Sequence, residues 1–244
     1  MPFSYSAVWD DAVQTLRSHA SLITAIAGVF IFLPSLLTSY LLPQPQGGEQ
    51  QPLGELVAYL NANFHWLVLG QLVRMIGIIA ILQLVFNRGV TVGGAIAGGV
   101  ALLPFYFLAS LLSGFLIGLG FILLILPGLY LFGRLAPLGV VVVAENRRNP
   151  IDALRRTFAL TSGRGWAILG LVLLVAIAGF VAVAATVAVL GSVFLLVLPR
   201  NLGDLLVMIV SAFAGSVFEV VLLLLYAAIY RALAPAASVA ARFN

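Results

Sequence analysis

Three charged residues lie within long apolar segments of the sequence, and they are the first candidates for chemistry. They are Arg74, Arg134 and Glu219. At 1.5 Å per residue of helix, each lies roughly 10–18 Å from the end of its segment, near the middle of a bilayer. A charge at that depth costs roughly 2.5–3.5 kcal/mol on insertion scales, so we expect all three side chains to face the protein interior. We call this predicted group the intramembrane charge centre.

Glu219 is expected to form an ion pair with one of the two arginines, and the sequence leaves open which one. The pair and the second arginine would together carry one positive charge, which could bind an anion such as a lipid phosphate. Gln71 shares the helix face of Arg74, three residues earlier. Tyr226 and Tyr230 share the face of Glu219, seven and eleven residues later. The alternative is a structural ion pair that locks the helices, with the second arginine extending to the membrane interface.

A second cluster follows the apolar segment that ends near residue 144. It contains one carboxylate and five arginines: Glu145, Arg147, Arg148, Arg155, Arg156 and Arg164. We call it the basic strip and expect it at the cytoplasmic face, where Glu145 caps or pairs with the arginines. The strip could be a topology signal in contact with anionic lipid, worth about 1 kcal/mol per arginine near the surface. The alternative is docking of an acidic partner protein, or regulated lipid recognition.

Part of the basic strip is predicted to lie on a short helix. Asn149 can serve as its N-cap, Pro150 fits its first turn, and Gly163 is expected to stop it. We expect Ile151, Leu154 and Phe158 to face lipid, while Arg155 and Arg156 reach toward headgroups.

The composition indicates an integral membrane protein without enzyme chemistry. Hydrophobic residues make up 63% of the 244 residues and charged residues only 8%, with a mean hydropathy of +1.17, whereas about a quarter of a soluble domain is charged. There is no cysteine or lysine, and the two histidines, His19 and His65, lie on opposite sides of the first apolar run. These absences argue against a phosphate-binding loop, a nucleophile with a histidine base and a metal cluster. We therefore predict no catalytic residue, no metal and no cofactor.

The apolar runs predict one all-α membrane domain over residues 1–244. Six transmembrane helices are expected at about 20–42, 64–86, 103–124, 128–144, 166–192 and 205–230. Three short cytoplasmic interface helices are expected at 3–19, 90–102 and 149–162. Pro127-Gly128 is predicted to form a tight outer turn, and Gly114 and Gly118 a face of small residues for close helix contact.

The arginines also predict sidedness, because cytoplasmic loops collect basic residues. Nine of the twelve are assigned to the cytoplasm: Arg17, Arg88, Arg147, Arg148, Arg155, Arg156, Arg164, Arg231 and Arg242. The loop 43–63 has no basic residue and is assigned outside, as is Arg200. Both termini are therefore predicted to be cytoplasmic. The same rule explains a pI near 9.9, so we expect no nucleic-acid partner.

One stretch of the sequence carries a family resemblance. LPGLYLFGRLAPLGVVVVAE, followed by NPIDALRRTFALTSGRGW, resembles the membrane domain of some bacterial glycerophosphodiester phosphodiesterases and is similar to the YciC-like inner-membrane proteins. The matching residues are Pro127, Gly128, Arg134, Glu145, Ala153, Leu154, Arg155, Arg156 and Trp166. The resemblance implies a six-helix domain in the bacterial inner membrane. In that family, phosphodiester hydrolysis belongs to a soluble barrel that this sequence lacks, so no such activity is implied.

Two functions fit these features. The first is a non-enzymatic inner-membrane protein that binds lipid, including anionic lipid, or another amphipathic anion in envelope maintenance or transport. The second is a membrane scaffold or partner subunit that docks another protein through its basic cytoplasmic face. A cavity open to lipid or water beside Arg74 and Arg134 would favour the first function. A closed core with an exposed apolar cytoplasmic patch would favour the second.

Overall fold

The computed structural model describes residues 4–42, 52–87 and 89–234, and all regular structure in these ranges is helical. The helices are α1 (Tyr5–Ala27), α2 (Leu33–Leu41), α3 (Pro52–Phe86), α4 (Val92–Leu123), α5 (Ile125–Leu135), α6 (Leu138–Ala144), α7 (Pro150–Leu160), α8 (Gly165–Val197) and α9 (Arg200–Leu233). Six helical units are long and apolar enough to cross a membrane, and they are Tyr5–Leu41, Gly54–Phe86, Val92–Leu123, Ile125–Ala144, Gly165–Val197 and Arg200–Leu233. The predicted all-α architecture with six apolar spans is confirmed.

Some residues used to predict sidedness lie outside the described ranges. They are residues 43–51 of the predicted outer loop, Arg88 and Arg242. The cytoplasmic location of both termini stays a prediction.

The boundary predicted between the first interface helix and the first span coincides with a kink. The Ser4 hydroxyl caps α1 by accepting a hydrogen bond from the Ala7 N–H, and His19 has non-helical backbone angles of φ −122° and ψ 16°. Before this kink, Val8 and Ala12 are buried against the rest of the bundle. The segment that precedes the kink is therefore attached to the bundle through its apolar face. A π-helical turn, Gly28–Phe32, then joins α1 to α2.

The separate interface segment predicted over residues 90–102 is instead the first part of α4, which continues through Pro104. Its glycines serve helix packing: a Cβ on Gly99 would lie 3.0 Å from the Ile76 carbonyl oxygen of α3. The small-residue face predicted at Gly114 and Gly118 does not make such a contact, because a Cβ at either position would meet nothing within 4 Å. Close packing between α3 and α4 is therefore concentrated at the end of the hairpin near the basic strip.

The fourth span differs from its prediction at both its start and its middle. The turn between the third and fourth spans lies at Leu124, whose extended angles (φ −164°, ψ 153°) separate α4 from α5, and Pro127 and Gly128 lie within α5. The span is then interrupted between α5 and α6 at Pro137. Proline lacks the backbone N–H and clashes with the preceding helical turn, which explains the interruption.

The short helix α6 lies in the core of the bundle. Val140, Val141 and Val142 of this helix are at most 1% exposed. Since consecutive helical residues point in different directions, three buried in a row require protein on every side of the helix. The surroundings come from α3, α4, α7 and α9, which all contact α6. The short helix α6 thus positions the Glu145 side chain that follows it.

The short helix α7 has the predicted caps but a different environment. The Asn149 side chain accepts a hydrogen bond from the Ile151 N–H at 2.9 Å, and Gly163 ends the segment with φ +72°. Leu154 is buried and Phe158 packs against a buried cluster formed with α4 and α6. The prediction that these two side chains face lipid is therefore wrong, since their apolar surface is covered by protein instead.

Candidate functional site

The ion pair of Glu219 joins α3 to α9. Arg74 Nη2 donates to Glu219 Oε2 at 2.5 Å, and the two side chains are 34% and 26% exposed. The Arg74 Nε is buried and has no hydrogen-bond partner within the described residues. The charges of the two groups neutralise each other, but the guanidinium is only partly satisfied.

Arg134 does not belong to this pair. Its guanidinium donates to the Phe158 carbonyl and, from Nε at 3.3 Å, to the Thr161 hydroxyl at the C-terminal end of α7. It also lies 4.8 Å from the ring centroid of Phe158 and 5.6 Å from that of Tyr130. A cation is favourable at a helix C-terminus, where carbonyl groups lack helical partners. The predicted centre of three charges is thus divided into an ion pair and a separate arginine that holds α7 to α5.

The other members of the predicted charge centre are also dispersed. Gln71 is exposed one turn from Arg74 on α3. Tyr230 lies at the far end of α9, where its hydroxyl donates to Glu145 Oε1 at 3.1 Å. Tyr226 lines a cavity of about 290 Å³ between α4, α6 and α9. One predicted cluster therefore supplies residues to three different places in the bundle.

Sequence reasoning missed the residues that face Tyr226 across this cavity. Tyr106, Ser110 and Ser113 of α4 line the opposite wall. Their spacing of four and three residues places them on one helix face, and that pattern of hydroxyls in an apolar helix was a usable signal. Glu219 lies one helical turn before Leu223, which also lines the cavity, so the ion pair lies near it.

Glu145 connects three segments at the end of the bundle that carries the basic strip. Its carboxylate accepts hydrogen bonds from Arg147 Nε at 2.7 Å and Arg156 Nε at 3.0 Å, in addition to the Tyr230 hydroxyl. The side chain is only 10% exposed. Burial by itself raises the pKa of Glu145, but the hydrogen bonds and charges of Arg147 and Arg156 outweigh it and lower the pKa below its ordinary value near 4.5. The carboxylate is therefore ionised at neutral pH, and two arginines leave a net positive charge around it.

The remaining arginines of the basic strip lie apart from Glu145. Arg155 is exposed on α7 and Arg164 precedes the first residue of α8. Arg148 is exposed and lines a pocket of about 280 Å³ that lies where α3 and α6 end. We call this the Arg148 pocket, and its lining residues are Gln83, Asn87, Gly98, Ala101, Leu102, Val143, Ala144, Asn146 and Arg148.

The part of the Arg148 pocket lining that the structure describes is polar and has no carboxylate. Asn87 Nδ2 donates to Gln83 Oε1 at 3.0 Å, which aligns the two amides along α3. A Cβ on Gly98 would lie 2.7 Å from Gln83 Nε2, so the glycine lets that amide lie against α4. Asn146 has φ 47°, a left-handed conformation that asparagine tolerates better than most residues. Of the described residues, one guanidinium and three amide side chains therefore surround a small recess.

Another ion pair, which the sequence analysis missed, holds α1 to α9. Arg231 Nε donates to Asp11 Oδ2 at 2.8 Å, and its Nη2 donates to the Thr15 hydroxyl at 2.7 Å. Its guanidinium also lies 5.5 Å from the ring centroid of Phe86. Asp11 and Arg231 are 220 residues apart, so helix periodicity could not reveal the pair.

Within the described residues there is no group of three histidine, aspartate or glutamate side chains that could hold a metal ion. No protein-family model matches this sequence, and neither a curated protein nor a solved structure was found to match it. Function is therefore inferred from the side chains described above.

Proposed function

We propose that this chain is a non-enzymatic integral membrane protein that binds an anionic lipid through the Arg148 pocket, in envelope maintenance or lipid transport. The observation that carries the proposal is the lining of that pocket. Among the described residues, it offers one exposed guanidinium and three amides and contains no carboxylate. Guanidinium groups bind phosphate oxygens through two parallel hydrogen bonds, and neighbouring amides can donate to the remaining oxygens.

The position of the pocket also suits a lipid headgroup. Asn87 follows the last residue of one apolar span, and Arg148 follows the end of another within four residues. Lipid phosphates lie at the same level, at the boundary between hydrocarbon and water. Because Glu145 is already bound by Arg147 and Arg156, its charge does not cancel that of Arg148. By the distribution of arginines, we assign this end to the cytoplasmic side of a bacterial inner membrane.

The test compares two arginines that differ in their surroundings. Arg148→Gln removes the pocket's charge, and Arg155→Gln removes an equal charge from an exposed position on α7 that does not line the pocket. The readout is the dissociation constant for phosphatidylglycerol, measured by native mass spectrometry, with phosphatidylcholine as the zwitterionic reference. A charge-assisted hydrogen bond contributes about 1.5–3 kcal/mol, so we expect Arg148→Gln to weaken phosphatidylglycerol binding at least about tenfold. Arg155→Gln should change it less than twofold.

Equal losses in the two variants would contradict the proposal. They would mean that anionic lipid is attracted by the total charge of the basic strip and not bound in a pocket. An unchanged affinity in both variants would contradict it as well.

Docking of an acidic protein is the second candidate function, and the outer face of α7 favours it. Ile151 and Arg155 are both exposed there, although Leu154 and Phe158 of the same helix are packed against protein. An Ile151→Ser, Arg155→Gln double variant should then lose a co-purifying protein while keeping phosphatidylglycerol. No change in co-purification would count against this function.

A further inference from the structure

The cavity lined by Tyr106 and Tyr226 lies within the membrane-spanning part of the bundle and is separate from the Arg148 pocket. Its volume is about 290 Å³, which is room for roughly ten water molecules at about 30 Å³ each. Four of its lining residues carry hydroxyl groups, and they are Tyr106, Ser110, Ser113 and Tyr226. A recess of this size with so many hydroxyls is unusual inside an apolar bundle, where polar groups mark functional positions.

The four hydroxyls have no partners within the described residues. Elsewhere in the same protein, serine and threonine hydroxyls in helices donate to the carbonyl four residues earlier. Ser216, Ser192 and Thr186 all do so, at 2.6–2.8 Å. Ser110 and Ser113 make no such bond, so their hydroxyls are available to a molecule in the cavity.

The charge around the cavity is balanced. Glu219, Leu223 and Tyr226 share one face of α9 at spacings of four and three residues, and the latter two line the cavity. The Glu219 carboxylate is already paired with Arg74 at 2.5 Å. A ligand therefore meets hydroxyls that both donate and accept, beside a neutralised ion pair. Such a lining favours an uncharged group that also donates and accepts.

We propose that this cavity binds an uncharged polyhydroxyl group of sugar or polyol type, carried either by an amphiphile in the membrane or by a free small molecule. Each ligand hydroxyl can donate to one of the four hydroxyls of the lining and accept from another. The apolar remainder of the lining, which includes Ile117, Leu135 and Leu223, packs against the carbon skeleton or an attached alkyl chain. This site is independent of the anionic-lipid site, because the two share no residue.

The experiment uses the full chain purified in lauryldimethylamine oxide, which has no sugar headgroup. Native mass spectrometry measures binding of octyl glucoside, of octyl phosphocholine with the same alkyl chain, and of free glucose. We expect octyl glucoside to bind at least about tenfold more tightly than octyl phosphocholine, because two neutral hydrogen bonds at about 0.5–1.5 kcal/mol each provide that factor. Binding of glucose as well identifies a free polyol as a ligand, whereas binding of octyl glucoside alone identifies a headgroup.

Two kinds of variant locate the binding in the cavity. Ser113→Leu fills the recess and should lower octyl glucoside affinity about tenfold. Ser192→Leu makes the same change on the exposed surface of α8 and should leave the affinity unchanged. Ser110→Ala and Tyr226→Phe remove hydroxyls without adding volume, and each should weaken binding about two- to tenfold.

Equal affinities for octyl glucoside and octyl phosphocholine would overturn the proposal, as would no binding of either glucoside or glucose. So would unchanged affinity in both Ser110→Ala and Tyr226→Phe, even if Ser113→Leu fails to fold. Arg148→Gln tests the anionic-lipid site separately, so the failure of one proposal can be told apart from the failure of the other.

Discussion

Replacing Glu219 by glutamine should destabilise the bundle through its effect on Arg74. In the native protein, the two groups are 2.5 Å apart and neutralise each other. Glu219→Gln leaves the arginine charged inside an apolar span and opposite an amide. A charge at the centre of a transmembrane helix costs about 2.5–3.5 kcal/mol, and breaking one side of a buried ion pair costs about 3–5 kcal/mol. Because the side chains are partly exposed, we expect the lower part of that range, about 3 kcal/mol.

The double variant separates this charge effect from a loss of packing. Arg74→Met on its own leaves the Glu219 carboxylate without its cation and should cost a similar amount. Arg74→Met combined with Glu219→Gln removes both charges, and a neutral pair of similar volume is often as stable as the ion pair. The double variant should therefore be more stable than either single variant.

Thermal unfolding in nanodiscs measures the effect, with the fluorescence of the three tryptophans as the signal. For a chain of this size, 1 kcal/mol corresponds to roughly 2–4 °C in Tm. Glu219→Gln and Arg74→Met should each lower the Tm by roughly 6–12 °C, and the double variant should recover at least half of that loss.

Arg134 provides the matched control. It binds the Phe158 carbonyl and Thr161 and shares no partner with Glu219. Arg134→Met combined with Glu219→Gln should give additive losses, as expected for sites without shared contacts. Additive losses for Arg74→Met with Glu219→Gln, or rescue by Arg134→Met, would refute the pairing described here.

Two further predictions concern Glu145 and the close approach of α5 to α8. The pKa of Glu145 is lower in the folded protein than its ordinary value near 4.5, so the carboxylate contributes stability that is present above that value and lost as pH falls through the folded pKa. The difference in Tm between the native chain and Glu145→Gln should therefore be constant from pH 7 to 6 and shrink below about pH 4.5. A difference that grows in acid would contradict the pairing of an ionised Glu145 with Arg147 and Arg156. Gly133→Ala should destabilise by about 1–3 kcal/mol, because a Cβ there would lie 2.7 Å from Leu169 Cβ and 2.8 Å from the Gly165 carbonyl oxygen. Gly118→Ala, whose Cβ would meet nothing within 4 Å, should be neutral or stabilising in the same unfolding assay, because alanine has the higher helix propensity. Equal losses at the two glycines would show that the close contact at Gly133 does not explain its effect.

The sequence alone was sufficient for the features that depend on local composition. Long apolar runs predict the six spans because a helix needs about 20 consecutive apolar residues to cross the hydrocarbon of a bilayer. The cap at Asn149 follows from a side-chain acceptor placed beside unpaired helical N–H groups. The kink at His19 lies where polar periodicity gives way to a continuous apolar run. These features involve residues within one or two helical turns of each other.

The exact positions of the turns were less predictable, because several neighbouring residues are compatible with a turn. Pro127 and Gly128 are typical turn residues, yet they lie inside α5 and the chain turns at Leu124. A proline is compatible with the first turn of a helix. In addition, a Cβ on Gly120 would lie 2.9 Å from the Gly128 Cα, so these two glycines permit close contact between α4 and α5 where a turn had been expected.

Only the tertiary structure decided which charges meet. Sequence identified Arg74, Arg134 and Glu219 as groups that need partners, but both arginines satisfied the same depth and charge criteria. The actual pair spans 145 residues, and Arg134 is instead bound by the C-terminal end of α7. Tyr230 likewise reaches Glu145 across 85 residues. Helix periodicity specifies the face on which a side chain lies. Which faces touch is decided by the rotation and tilt of each helix against its neighbours. That rotation and tilt depend on packing across the whole bundle.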